Sequence, residues 1–132
     1  MNSNSSLIQI SDAYYTFIHE SKSEIGGFSL VPPECIIPLK ARAWLDLTER
    51  REAGKKVDEK NIKKHKNDVF RLFQVIAPDT RMVLSGSIRD DLQRFLQAVE
   101  ADPPQSLKPF GLREITADEV IDTLRAIYKL SR

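Results

Sequence analysis

The sequence contains few of the residues from which metal centres and disulfide bonds are built. Its 132 residues include a single cysteine, Cys35, and two histidines, His19 and His65. A lone cysteine cannot form a disulfide within its own chain, which favours a reducing compartment, so we expect a cytoplasmic protein. Structural zinc sites take four cysteine or histidine ligands, and these three residues do not predict one.

Long apolar runs and a strong net charge are also missing. No stretch approaches the roughly 20 apolar residues that span a bilayer, and the start of the chain lacks the pattern of a signal peptide. A net charge of +1 predicts no overall attraction to nucleic acid or membrane. With 41% hydrophobic and 30% charged residues, the composition favours a globular domain. We expect a flexible tail over residues 1–6 and a single domain over 7–132.

What the sequence does contain is helical periodicity, which begins near Pro33 and predicts a helical region over residues 33–130. The helix start and stop signals delimit four helices: Pro33 or Ile36 to Ala53, Asp58 to Ala77, Ser87 to Glu100, and a last one opened by a capping box at Thr116. The linker between the first two helices is only four residues long, so these helices should pack as an antiparallel pair.

The segment before Pro33 has a different pattern and predicts short strands and a turn over residues 7–31. Leu7–Ile10 and Phe28–Val31 are the strand candidates, and Gly26–Gly27 is the turn. Asp12–Ser23 fits either a helix or a strand. The predicted fold is therefore mainly α, with four helices and a short β piece at the N-terminus. Two short strands are marginal alone, which suggests that they derive from a larger sheet.

Lys40 is the most unusual residue of the first predicted helix. At about 100° per residue, Ile36, Ala43 and Leu47 lie on one side of it and Ile37 and Trp44 on the other. A charge in the middle of an apolar stripe is costly unless it is paired or reaches water along its stem. Either the side chain extends to solvent at a shallow helix end, or a carboxylate or phosphate meets it at a cleft.

The second predicted helix carries four lysines within seven residues, from Lys60 to Lys66. Such a run is typical of a solvated helix face. His65 and Asp68 lie close to the apolar stripe, however, whereas Lys64 points away from it and is spaced to pair with Asp68. If the first two helices are antiparallel, Asp68 or a phosphate could neutralise Lys40.

Residues 85–91, with the sequence SGSIRDD, superficially suggest a phosphate-binding loop followed by metal-binding carboxylates. The spacing is too short for such a site, because its carboxylates stand on a separate strand. We interpret the segment as a helix start, with Ser85 or Ser87 as the N-cap and Asp90 and Asp91 in the first turn.

Two segments, 34–47 (ECIIPLKARAWLDL) and 62–72 (IKKHKNDVFRL), together resemble a known family. They are similar to the C-terminal half of bacterial nucleotidyltransferase-like proteins of the AbiEii/AbiGii toxin family. That family has a lysine in a Leu-Lys-x-x-Ala context, a following arginine, and a later Lys-Asp-x-x-Asp-Leu motif. The resemblance covers about residues 12–96. It implies a substrate-binding role for Lys40, for Arg50 or Arg51, and for Lys64 and Asp68, with His65 replacing an acid.

The resemblance also implies what this chain lacks. Members of the family carry a glycine-rich loop and an Asp-x-Asp pair that binds the metal ions for nucleotidyl transfer. Nothing before Glu34 supplies either. A complete member would use Mg²⁺ and a nucleoside triphosphate, whereas for this chain alone we expect no catalytic residue, no metal and no activity. Its expected partners are a missing N-terminal nucleotidyltransferase region and an antitoxin.

Two other function classes remain open from the residues alone. One is a stand-alone helical module that binds an acidic protein or a nucleic acid through its lysines, which are Lys55, Lys56, Lys60, Lys63, Lys64 and Lys66. The other is a structural piece whose exposed edge forms a dimer. A membrane partner is not expected under any of the three hypotheses.

Overall fold

The computed structural model describes residues 12–25 and 28–131 and is mainly α-helical. Within these residues lie five α-helices: α1 (Asp12–Ser21), α2 (Pro33–Glu52), α3 (Glu59–Phe73), α4 (Gly86–Ala101) and α5 (Ala117–Ile127). A 3₁₀ turn, Lys108–Phe110, lies between α4 and α5. The four helices predicted from the sequence are all present, and α1 is an additional one.

The region before α2 differs from its prediction as strands and a turn. Asp12–Ser21, which fitted either helix or strand, forms α1, so the helical alternative is the correct one for this part. Strands β1 (Ser23–Ile25) and β2 (Phe28–Leu30) pair antiparallel, and β2 falls within the predicted strand Phe28–Val31. The predicted flexible tail, the strand Leu7–Ile10 and the turn Gly26–Gly27 lie outside the described residues.

Helix α2 follows the prediction closely at both ends. A proline occupies its first turn, where the missing N–H is not needed. Its last turn closes with Gly54 at a φ of 83°, while the Lys55 N–H donates to the Arg50 carbonyl over 3.0 Å. These are the features of a Schellman motif, which depends on glycine because a side chain is strained at positive φ.

Helix α3 is shorter than predicted. Asp58 is its N-cap and accepts a hydrogen bond from the Lys60 N–H over 2.9 Å, as expected. The helix ends at Phe73, not at Ala77. The Val75 and Ile76 N–H groups bond three residues back over 3.1 Å, and this tighter turn precedes Pro78, which disfavours α conformation in the residue before it.

Helix α4 starts at Gly86, with Ser85 at the N-cap position. Asp90 and Asp91 therefore lie in the second turn, and the prediction that they stabilise the first turn is wrong. Asp90 is exposed but Asp91 is buried. The α5 prediction is confirmed, because Thr116 and Glu119 form the reciprocal capping box.

Helix α2 lies at the centre of the fold. It packs against α3 on one side and against α4 on another, and α1 contacts both α2 and α4. Ion pairs join Lys40 to Asp68 and Arg51 to Glu59, so α2 and α3 run antiparallel, as predicted. The core between the helices is apolar and includes Ile37, Ala41, Val69, Phe70, Leu92, Phe95, Val120, Leu124 and Ile127.

Candidate functional site

Lys40 and Asp68 meet where the first half of α2 packs against the second half of α3. The Lys40 Nζ lies 3.0 Å from Asp68 Oδ2, and the two side chains are 28% and 19% exposed. A carboxylate therefore meets Lys40, which was one of the alternatives left open by the sequence. Because both side chains keep contact with solvent, the pair is open to a ligand and is not sealed in the core.

Asp68 is shared with a second cation. Nη1 of Arg71, one turn further along α3, lies 3.4 Å from Asp68 Oδ1. The guanidinium of Arg71 also lies over the ring of Phe110, 5.3 Å from its centroid, in a cation–π arrangement. Asp68 thus has a different cation at each oxygen, and Lys64, spaced to pair with it, is not among its ion-pair partners in the described residues.

His65 lies in the same environment. Its Nδ1 atom is buried and makes no hydrogen bond within the described part of the chain. Burial lowers the pKa of His65, the positive charges of Lys40 and Lys64 lower it further, and the negative charge of Asp68 opposes them. The imidazole is consequently neutral at neutral pH.

We call Lys40, Lys64, His65, Asp68 and Arg71 the Asp68 cluster. The cluster contains three cations, one carboxylate and a neutral imidazole: Lys40 and Arg71 pair with Asp68, and Lys64 acts on His65. An excess of positive charge that is partly shielded from water is a suitable environment for phosphate or another anion, since each contact there is less screened than on an open surface.

The structure does not bring the other predicted site residues to this cluster. Arg50 and Arg51 lie ten and eleven residues beyond Lys40 on α2, which corresponds to about 15 Å along the helix. Arg50 Nε lies 3.3 Å from Asp46 Oδ2, and Arg51 Nη1 lies 2.8 Å from Glu59 Oε1. A ligand that contacted Lys40 and either arginine would have to extend along α2.

A second polar group, which the sequence reasoning missed, lies between α1, α2 and α4. Arg42 Nη1 lies 3.1 Å from Asp91 Oδ2, and the Tyr14 hydroxyl donates to the same oxygen over 2.9 Å. Arg94 Nη1 lies 3.3 Å from Asp91 Oδ1. Glu49 bridges the two guanidiniums, at 3.0 Å from Arg42 and 2.6 Å from Arg94. We call these five residues the Asp91 network.

The electrostatics of this network favour its charged, hydrogen-bonded form. Burial disfavours the guanidinium of Arg42, but the contact with Asp91 outweighs that effect and raises the pKa of Arg42. Burial and the adjacent Asp91 carboxylate raise the pKa of Tyr14, so its hydroxyl remains a donor. Two guanidiniums face two carboxylates, and the network has no excess charge for a ligand to neutralise.

A signal in the sequence could have identified Asp91. It lies three residues after Ile88 and four before Phe95, which places it within the apolar stripe of α4. The same argument singled out Lys40 on α2. Its partner Arg42 carries no comparable signal, because a cation two residues from Lys40 looks like an ordinary solvated side chain.

A hollow of about 340 Å³ lies elsewhere, between the end of α4 and the start of α5, and residues 103–108 and 112–118 line it. Leu107, Leu112 and Ala117 are buried at its floor, while Lys108, Arg113, Glu114 and Asp118 at its rim are exposed. None of the site residues predicted from the sequence lines this hollow.

Within residues 12–25 and 28–131, no three His, Cys, Asp or Glu side chains are grouped to hold a metal ion. Among the described residues, no helix is both long and apolar enough to cross a membrane. Comparison with protein-family models, curated protein sequences and solved structures finds no match.

Proposed function

We propose that this chain is the helical C-terminal portion of a nucleotidyltransferase-like protein and that its Asp68 cluster faces the nucleotide phosphates in the complete fold. One observation carries the proposal: the Lys40–Asp68 pair, 3.0 Å apart and partly exposed, lies among further cations on the two segments with the family motif. Lys40 would contact phosphate, while Asp68 would hold Lys40 and Arg71 in position until the ligand arrives.

The charge arithmetic at the cluster supports this role. The single negative charge of Asp68 is shared by Lys40 and Arg71, and Lys64 adds a third positive charge nearby, so binding of an anion would be electrostatically favourable. Arg50 and Arg51 are engaged with Asp46 and Glu59 about 15 Å further along α2. In this proposal they contact a distant part of the substrate or serve only to hold the helices.

Activity of the isolated chain is not part of the proposal, because two-metal phosphoryl transfer needs paired carboxylates at metal-binding spacing. We expect no label transfer when the purified chain is incubated with each labelled nucleoside triphosphate, Mg²⁺ or Mn²⁺, and bulk RNA. Robust incorporation that persisted after repurification would contradict the inferred absence of a catalytic site.

The binding role has its own test, a titration of the isotope-labelled chain with ATP at low salt and without metal. We expect the amide signals of the Asp68 cluster to move, and the same titration with adenosine to leave them in place. Lys40→Met should abolish the shifts. Lys55→Met, which removes an exposed lysine past the end of α2, more than a dozen residues after Lys40, is the matched control and should preserve them. Shifts spread evenly over all lysines would contradict a defined site.

A stand-alone module that binds nucleic acid or an acidic protein is the second candidate, and one observation favours it. Five lysines around the α2–α3 connection are exposed on one stretch of chain: Lys55, Lys56, Lys60, Lys63 and Lys64. Lys66, the sixth, is half-buried. A few phosphate contacts give a shallow salt dependence and weak binding. Tight binding of an oligonucleotide at physiological salt would favour this candidate over the first.

A further inference from the structure

His65 is the one member of the Asp68 cluster that can change its charge near neutral pH. Its Nδ1 is buried without a hydrogen-bond partner among the described residues. A buried nitrogen without a hydrogen-bond partner destabilises the folded state, whereas the nitrogens of a surface histidine can bond to water. The only other histidine, His19, is exposed on α1, where its ring packs edge-on against Tyr15 at 4.5 Å.

A proton on His65 would change the interactions among the charged groups around it. Lys40 acts on the ring from α2, and Asp68 and Lys64 act on it from α3. His65 and Asp68 are three positions apart on one helix, a spacing at which their side chains can touch. A protonated imidazole donates through both nitrogens, and Asp68 is the carboxylate that acts on it. Protonation would therefore add a third cation that can pair with Asp68, whose carboxylate Lys40 and Arg71 already share.

We propose that protonation of His65 makes Lys40 available to a ligand. When the imidazole takes up a proton, it attracts the Asp68 carboxylate, and the Lys40 ammonium can then bind a phosphate-bearing ligand. This inference rests on the proposed anion-binding role of the cluster. The only chemical change is one proton taken from solvent, which raises the charge of the cluster by one. By linkage, an anion bound at the cluster must favour the protonated imidazole to the same extent.

The coupling can be tested without any ligand, by following the Cε1–H signals of both histidines against pH in the whole chain. We expect His65 to titrate below the ordinary pKa of a histidine, because burial lowers its pKa. Lys40→Met should raise the His65 midpoint, because it removes a repelling charge, and Asp68→Asn should lower it. The side-chain carboxyl signal of Asp68 should move with the His65 midpoint. An unchanged His65 midpoint in Lys40→Met would overturn the inference.

The consequence for ligands is tested with sulfate, a tetrahedral dianion whose charge is constant between pH 5.5 and 7.5. At fixed ionic strength, we expect sulfate to bind about fivefold more tightly at the lower pH. His65→Gln should remove this dependence, and His19→Gln should retain it. Thermal melting of each variant checks that the fold is intact, and the histidine titration requires no substitution of His65.

The outcomes separate this inference from the proposed function. If sulfate binds but the pH dependence survives in His65→Gln, the control by His65 is wrong and the anion site stands. If sulfate binds at neither pH, the anion site itself is wrong, and the control of Lys40 by His65 is wrong with it.

Discussion

Lys40 and Arg42 are two residues apart on α2, and each pairs with a carboxylate on a neighbouring helix. Their side chains are similarly exposed, at 28% and 23%. Lys40 belongs to a cluster of three cations and one carboxylate, in which Lys40 and Arg71 share Asp68 and Lys64 forms no ion pair with it in the described part of the chain. Arg42 belongs to a network in which two guanidiniums face two carboxylates and a tyrosine hydroxyl. Burial therefore does not distinguish a candidate binding site from a structural ion pair here, but charge balance does.

This comparison predicts that the two regions respond differently to mutation. The Asp91 network joins three helices and should contribute to stability, because every charge in it depends on the others. The Asp68 cluster joins only α2 and α3, and should contribute less to stability and more to binding.

The largest effect is expected for Asp91→Ala, which leaves Arg42 and the Tyr14 hydroxyl without their shared acceptor. Removing one partner of a mostly buried ion pair should lower the free energy of unfolding by about 3 kcal/mol. Urea denaturation followed by circular dichroism measures it. Asp90→Ala is the matched control: Asp90 is the exposed neighbour, and its loss should cost less than about 0.5 kcal/mol. An equal loss in the free energy of unfolding for the two variants would show that Asp91 contributes no more to stability than an exposed residue does.

Replacing Lys40 and Arg42 by the same residue, methionine, tests the comparison directly. Arg42→Met should lower the free energy of unfolding by about 2 kcal/mol, because Asp91 and Glu49 each lose a partner. Lys40→Met keeps most of the side-chain volume, and Asp68 retains Arg71, so we expect a change within about 0.5 kcal/mol. The same denaturation experiment serves for both variants. A loss from Lys40→Met as large as that from Arg42→Met would show that Lys40 is a structural residue.

Tyr14→Phe should have a smaller effect, about 1 kcal/mol, since it removes one hydrogen bond while Asp91 keeps both arginines. Tyr15→Phe is the control, because Tyr15 is 60% exposed on the same helix and its substitution should be neutral. The difference between the two melting temperatures reports how firmly α1 is held to α2 and α4. No difference would mean that the hydroxyl contributes nothing to docking α1.

The smallest effect concerns pH and distinguishes the cluster from the network. The pKa of His65 is lowered in the folded state, chiefly by burial, so the unfolded chain binds a proton more readily. The contribution of His65 to stability is present above its unfolded pKa, near 6.5, and is lost as the pH falls towards the lower folded value. Wild-type protein should therefore melt slightly lower at pH 5.5 than at pH 7.5.

His65→Gln should flatten this pH dependence of the melting temperature, and His19→Gln should leave it unchanged. A dependence that is identical in wild type and His65→Gln would assign it to other groups. No pH dependence of this kind is expected from the Asp91 network, whose arginines stay charged throughout the range.

Much of the fold was predictable because its signals are local. The Thr116 capping box, the Asp58 N-cap and the glycine after α2 each act within a few residues, so their interpretation did not depend on the rest of the chain. The predicted end of α3 and the predicted position of Asp91 in the first turn of α4 were wrong. Neither is fixed by a local signal, since the boundary of a helix depends on how its terminal turn packs.

Some residues of the candidate site were likewise predictable from local patterns, and others were not. The position of Lys40 in an apolar stripe, and of Asp68 at the margin of another, identified both members of the pair from periodicity and a short linker. The sequence by itself thus determined four of the helices and the antiparallel packing of α2 and α3, and it gave Asp68 as one of several alternative partners of Lys40. Only the tertiary structure decided that Arg42, Tyr14 and Asp91 meet, because Tyr14 and Asp91 are 77 residues apart and no local pattern encodes such a contact. It also decided that Lys40 remains partly open to solvent, since exposure depends on which helices cover a face and not on the face itself.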